Sequence, residues 1–207
     1  MKGKSFANAS LVLSMTIFGT IGLFVRYLDI ESSVIALFRG AVGSMVLAAV
    51  MLLSKKKTHF SINKRNALLL GVSGTALGFN WIFLFESYRY TTVAVSTLCY
   101  YFAPIIVILV SPLLFKERLC VKKVFSVIFA VAGMVCISGV LSPQDVQKNQ
   151  PLGIAFGLTA AVLYALIVVL NKKTDGVEAR SRTVIQLLIS AVVMFVYSFF
   201  VGDLKGI

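Results

Sequence analysis

The chain has 207 residues, of which 58% are hydrophobic and only 14% charged, and its formal net charge is +12. A soluble domain carries about 25% charged residues, so a chain with a mean hydropathy of +0.93 cannot clothe a water-facing surface and reads as an all-α, polytopic helical membrane protein. The basic excess would suit nucleic acid, but its distribution along the chain excludes that reading.

Apolar runs place seven spans, at Ala9–Tyr27, Val34–Leu53, Ala67–Ser87, Val93–Phe115, Val124–Leu141, Leu152–Leu170 and Val184–Val201. Each has about the 20 residues that cross some 30 Å of hydrocarbon. With the amino terminus in the cytoplasm, fifteen of the twenty Lys and Arg residues fall in cytoplasmic segments. Such a bias in short loops fixes orientation by the positive-inside rule. The expected location is the plasma membrane (a bacterial inner membrane), multi-pass. The basic start Met1-Lys2-Gly3-Lys4 resembles a secretory leader, but the apolar run is long and no small-residue cleavage site follows, so it reads as a retained span.

In the first span, Gly19 and Gly22 would let a neighbouring helix come close. The second carries Arg39, about 8 Å below its start at the helical rise and shallow enough to snorkel outward. The basic loop Lys55–Asn66 holds His59, the sole histidine, read as solvated. The third span has Gly71, Gly74 and Gly78, a packing ladder, and then Asn80, Trp81 and Glu86. Trp81 is either an interfacial anchor or a cavity wall. Arg39 and Glu86 are the ionisable residues within or at the edge of spans, where charge is expensive and therefore functional by default. Both fall in the outer half, where they either pair, face a polar substrate together, or reach the outer interface and are solvated.

The fourth span opens on Tyr100-Tyr101, is interrupted by Pro104 and Pro112, and ends on Lys116-Glu117-Arg118. Each interior proline removes a hydrogen bond and clashes with the preceding turn. A bundle tolerates such breaks where the backbone faces protein or a cavity, so this span reads as bent at a working site. The two tyrosines point about 100° apart on a helix, so only one is expected to face a cavity. Glu117 between two bases reads as a charge cluster at the cytoplasmic end. The fifth span is bland, with Gly133 and Gly139 for packing. The three cysteines show no paired spacing and read as small apolar residues.

The polar, Pro-bounded loop Ser142–Pro151 is the best boundary in the chain, dividing it into a unit at 1–142, an outer linker at 143–151 and a second unit at 152–207. Tyr164 in the sixth span and Gln186 in the seventh answer loosely to Phe18 and Arg39. Because five spans precede the linker, an odd number, two copies of the unit are inverted relative to one another. That is the transporter plan with a site between repeats.

Tyr101, Pro104, Leu114 and Glu117, with Lys116 and Arg118 beside the Glu, form a pattern similar to the fourth helix of the EamA family of the drug/metabolite transporter superfamily. The resemblance extends over the first unit and the first two helices of the second. It implies inverted five-helix repeats, of which this chain would hold seven helices of ten. It implies a secondary transporter of small metabolites, amino-acid-like or drug-like solutes, exported by alternating access. The residues expected to line the substrate path are Arg39, Asn80, Trp81, Tyr101, Pro104, Tyr164 and Gln186, with Glu86 and Glu117 as gate or clamp. The partners implied are a small-molecule substrate and the lipid bilayer, with a second copy of the chain left open.

No enzyme motif, metal cluster, cofactor site or phosphate-cradling Gly-Lys-Thr loop is present in the sequence, so transport would be secondary. One alternative is a seven-helix receptor or sensor, but an amino terminus inside reverses the familiar receptor orientation. Another is a small multidrug-resistance-like cation exporter, but those carry a Glu in helix 1 and Ala9–Tyr27 has no acid.

Overall fold

A computed structural model describes residues 2–28, 30–54, 63–115, 121–137, 150–174 and 176–203. His59, Glu117, Gly139 and the linker at 143–149 lie outside the described residues, as does the packing around Gly19. The described chain is helical without strands: α1 (Lys2–Tyr27), α2 (Ser32–Leu53), α3 (Lys64–Tyr90), α4 (Val93–Tyr100), α5 (Phe102–Phe115), α6 (Val121–Ile137), α7 (Gln150–Lys173) and α8 (Ala179–Val201). Five segments are long and apolar enough to cross a membrane: α2, α3, α4 with α5 as one run, α7 and α8. The other two expected spans fall on α1 and α6, the latter carrying a shorter apolar run at Val124–Gly133.

The molecule turns large apolar side chains outward and buries polar ones beside its apolar core. Leu113 is 83% exposed while Asn80, Ser87 and Ser96 are fully buried. In water that arrangement would be unstable. In lipid it is favoured, because apolar side chains meet hydrocarbon and polar ones satisfy each other between helices. The protein is therefore a multi-pass membrane protein in contact with the bilayer.

α3 is the central helix, packed against α7, α8, α2, α1 and α4. Small residues allow this. A Cβ on Gly74 would sit 2.8 Å from Ile189 Cβ and 3.0 Å from the Gln186 carbonyl, and one on Gly78 would strike Met194. Gly71, the third rung of the expected ladder, has nothing within 4 Å, nor does Gly133. α2 and α8 run antiparallel: Ser33 at the start of α2 donates to Asp203 just past α8, and Gly40 lies against Leu187 and Ala191.

The fourth expected span is broken, though not at either proline. α4 starts on a cap, Val95 N donating to Thr92 Oγ1 at 3.2 Å, and closes with Tyr101 N donating to the Thr97 carbonyl. Tyr101 is a single turn residue with ψ of −2°, away from the helical value of about −42°. The cause lies three residues on. Pro104 has no N–H to give the carbonyl four residues back, and its ring crowds that carbonyl, which belongs to Tyr100. Pro112, by contrast, stays inside α5 without ending it.

Candidate functional site

The Tyr100–Tyr101 joint borders a small, partly open cavity of about 70 Å³ between α1, α2, α3 and α4. Its walls are Ile21 and Gly22 of α1, Arg39 of α2, Leu84, Phe85 and Tyr88 of α3, and Val93, Thr97, Tyr100 and Tyr101 at the α4 side. The α3 contribution follows from helical spacing. Phe85 and Tyr88 stand four and seven residues after Trp81, hence on one face. On α1 the space depends on a missing side chain, since a Cβ on Gly22 would lie 2.7 Å from Val93 Cγ1 and 3.3 Å from Tyr88 Cζ.

Arg39 does not reach for the bundle's end as its shallow position suggested. Its guanidinium carbon lies 4.6 Å from the centroid of the buried Trp81 ring and 6.0 Å from that of Phe85. A guanidinium stacked on aromatic faces gains cation–π attraction that grows as water is excluded, which compensates for holding the charge among helices. Trp81 is thus neither an interfacial anchor nor a wall of the cavity; it supports the residue that is.

Asn80 is fully buried behind the same wall, its Nδ2 donating to the Ala160 carbonyl at 2.6 Å. Its Oδ1 faces the Tyr100 hydroxyl, which donates across a long 3.5 Å. The Tyr100 ring in turn packs on Tyr164, centroids 5.5 Å apart. Tyr100 therefore joins α3, α4 and α7. Both tyrosines of the pair line the cavity, against the expectation of one, Tyr101 standing at the turn that ends α4. Pro104 is exposed and off the cavity; its effect on the site runs through the Tyr100 carbonyl.

Two expected site residues belong to other clusters. Gln186 lies toward the opposite end of the bundle, where Nε2 donates to Ser73 Oγ at 2.6 Å and to Asn171 Oδ1 at 2.7 Å. α2 and α8 touch beside Arg39 and Gln186, Gly40 lying against the Leu187 carbonyl, but the Gln186 side chain bonds to α3 and α7 rather than facing the cavity. Glu86 accepts from Ser32 Oγ at 2.6 Å and from Arg89 Nη1 at 3.2 Å, while the same Arg89 nitrogen reaches Glu31 at 3.1 Å. That cluster links the start of α2 to the end of α3. The sequence reading passed over Phe85, Tyr88 and Thr97, although the spacing from Trp81 offered a signal for the first two.

The described residues form a helical membrane bundle with a cavity lined by Arg39 and three tyrosines. Residues 5–139 match the EamA-like transporter family, and the chain belongs to that family. An uncharacterized transporter of Bacillus subtilis (strain 168), YxxF, is 29% identical over 199 residues, covering 96% of this chain and 64% of that protein. An uncharacterized transporter of Archaeoglobus fulgidus is 26% identical over 180 residues, or 86% of this chain and 58% of the relative. A solved crystal structure shares the fold with a TM-score of 0.70 at 17% identity, covering 91% of this chain and 65% of the other. The chain thus spans about three-fifths of the length of these curated relatives.

Proposed function

We propose that the protein is a secondary transporter of small polar or amphipathic solutes, amino-acid-like or drug-like, moved outward by alternating access. In this reading the amino terminus is cytoplasmic, the membrane is the plasma membrane, and the Arg39 cavity opens in the outer half of the bundle. The helices after the linker then begin an inverted repeat of those before it. A transporter needs a site that binds a solute inside the bilayer and elements that expose it by turns to each side.

The observation that carries the proposal is the placement of Arg39. A charge at that depth is costly unless it serves a ligand or a path, and here it lines a cavity bordered by a broken helix. Glu86 and its partners Ser32, Arg89 and Glu31 act in this scheme as the clasp at the outer end.

The test is counterflow in vesicles containing the purified protein, with labelled amino acids and amphipathic solutes as cargo. Arg39→Ala and Tyr101→Ala are each expected to lower uptake about tenfold, the effect of losing some 1.4 kcal/mol of binding. The amount and topology of inserted protein should stay the same. Wild-type uptake in both variants would sink the assignment of the site.

A further inference from the structure

We infer that the lipid-facing side of α3 holds one anionic phospholipid, its phosphate at Lys64 and Arg65 and one acyl chain in the groove beneath them. The site does not depend on transport and shares no residue with the Arg39 cavity. An open groove of about 610 Å³ runs along α3 from Ala67 to Phe83, with Leu163 of α7 also lining it. Its walls are apolar apart from Thr75. Gly74 and Gly78 of the same helix are pressed against α8, whereas a Cβ on Gly71 would meet nothing within 4 Å. The helix therefore keeps a notch in the groove that no neighbour fills.

The charge stands at one end of this groove. Lys64 comes seven residues before Gly71 and Arg65 seven before Val72, two turns in each case, so both lie on the groove face of α3. Both are exposed, and neither forms an ion pair with another described residue. α7 runs antiparallel to α3, Asn80 bonding to Ala160 and Ser87 to Gly153, which brings further bases to this end. Those are engaged elsewhere. Lys172 lies 4.1 Å from the centroid of the Phe115 ring, Arg182 donates to the Asn171 carbonyl at 2.9 Å, and Arg180 faces Glu178 at 3.9 Å.

Two bases above an apolar groove match the two halves of one molecule, an anionic headgroup and a hydrocarbon chain. A helix in the groove would leave the bases unanswered, and a free phosphate at the bases would leave the groove empty. The length also fits. From Ala67 to Phe79 the helix rises about 18 Å, enough for a chain that crosses one leaflet, half of some 30 Å of hydrocarbon. In the orientation proposed above this is the cytoplasmic leaflet, whose negative surface attracts bases beside a membrane helix.

The test is native mass spectrometry of the full chain in detergent, titrated with dioleoylphosphatidylglycerol or dioleoylphosphatidylcholine. The anionic lipid should fill one site saturably, at least about tenfold more tightly than the zwitterionic one, since each base near a charged surface adds severalfold. Lys64→Gln combined with Arg65→Gln should abolish that preference. Arg180→Gln, which removes a charge on α8 away from the groove, should leave it within about twofold. Gly71→Leu places its Cβ clear of every neighbour, so the melting temperature should hold while phosphatidylglycerol binds about fivefold or more weakly. Inorganic phosphate at millimolar concentration should not displace the lipid.

Equal binding of the two lipids overturns the inference, and so does a loss at Arg180→Gln as large as that at Lys64 and Arg65, which would mean a general attraction to positive charge. Unchanged binding in Gly71→Leu removes the chain from the groove and overturns it too. Displacement by phosphate reduces the site to its bases and overturns the lipid. A doubled mass that Gly71→Leu returns to a single chain assigns the groove to a second copy instead.

Discussion

At the end of the bundle beside the cavity, Arg89 holds Glu31 and Glu86 with ion pairs of 3.1 and 3.2 Å, their side chains between 21% and 52% exposed. At the other end, Gln186 holds Ser73 and Asn171 with uncharged bonds of 2.6 and 2.7 Å, and Gln186 itself is only 4% exposed. Exposed ion pairs contribute little, because water and salt compete for both partners. Buried amides have no such competitor, so losing one partner strands the other. The packing differs in the same sense. Near Gln186 the glycine contact at Gly74 reaches backbone, whereas at Gly22 beside the cavity the neighbours are side chains that can turn. By these contacts the amide end is held by bonds that water does not contest, and the ionic end by pairs that it does.

The contrast can be broken hardest at Gly74. Gly74→Leu would drive a side chain into Ile189 and the Gln186 carbonyl, and overpacking of this kind costs about 1–3 kcal/mol and at times more. The melting temperature of the detergent-solubilised protein should fall by several degrees, and an unaltered melt would show that α3 and α8 are not pressed together there. Gln186→Leu comes next. It removes two bonds and leaves Asn171 and Ser73 without their donor, a loss of roughly 1–2 kcal/mol given the modest worth of such bonds between membrane helices. The same melt should register it, independent of salt. Glu86→Gln is the mildest. It keeps an acceptor for Ser32 but ends the attraction to Arg89, for under about 1 kcal/mol. Its melting gap from wild type should close as salt rises to molar levels, and a gap that persists would mean the ionic end is as dry as the amide end.

The spans were readable in the sequence because the bilayer imposes a length on every apolar run, and α2, α3, α7 and α8 fall where those runs predict. The break in the fourth span was readable in kind but misplaced, since a proline acts on the carbonyl four residues before it rather than at its own position. Arg39 was singled out by the cost of charge in lipid, and it lines the cavity. Gln186 lies apart from the cavity residues, because matching positions along the chain says nothing of which neighbouring helix a side chain will bond. Asn80 lies behind the wall, and no local pattern shows that its partner is a backbone carbonyl on α7. Phe85 and Tyr88 were overlooked because aromatic residues in an apolar helix look like packing, and only the open space beside them sets these two apart.

The joint at Tyr101 also has a mechanical side. α4 has eight residues and is therefore a rod of about 12 Å, capped at one end by Thr92 and freed at the other by the proline ahead. A swing of about 20° around that joint would carry its far tip some 4 Å, by the length of the rod alone. That is more than the width of a water molecule, gained without unfolding a turn. Leverage of this kind lets a small rotation inside the bundle become an aperture at its surface, and it depends on a single residue having left the helix.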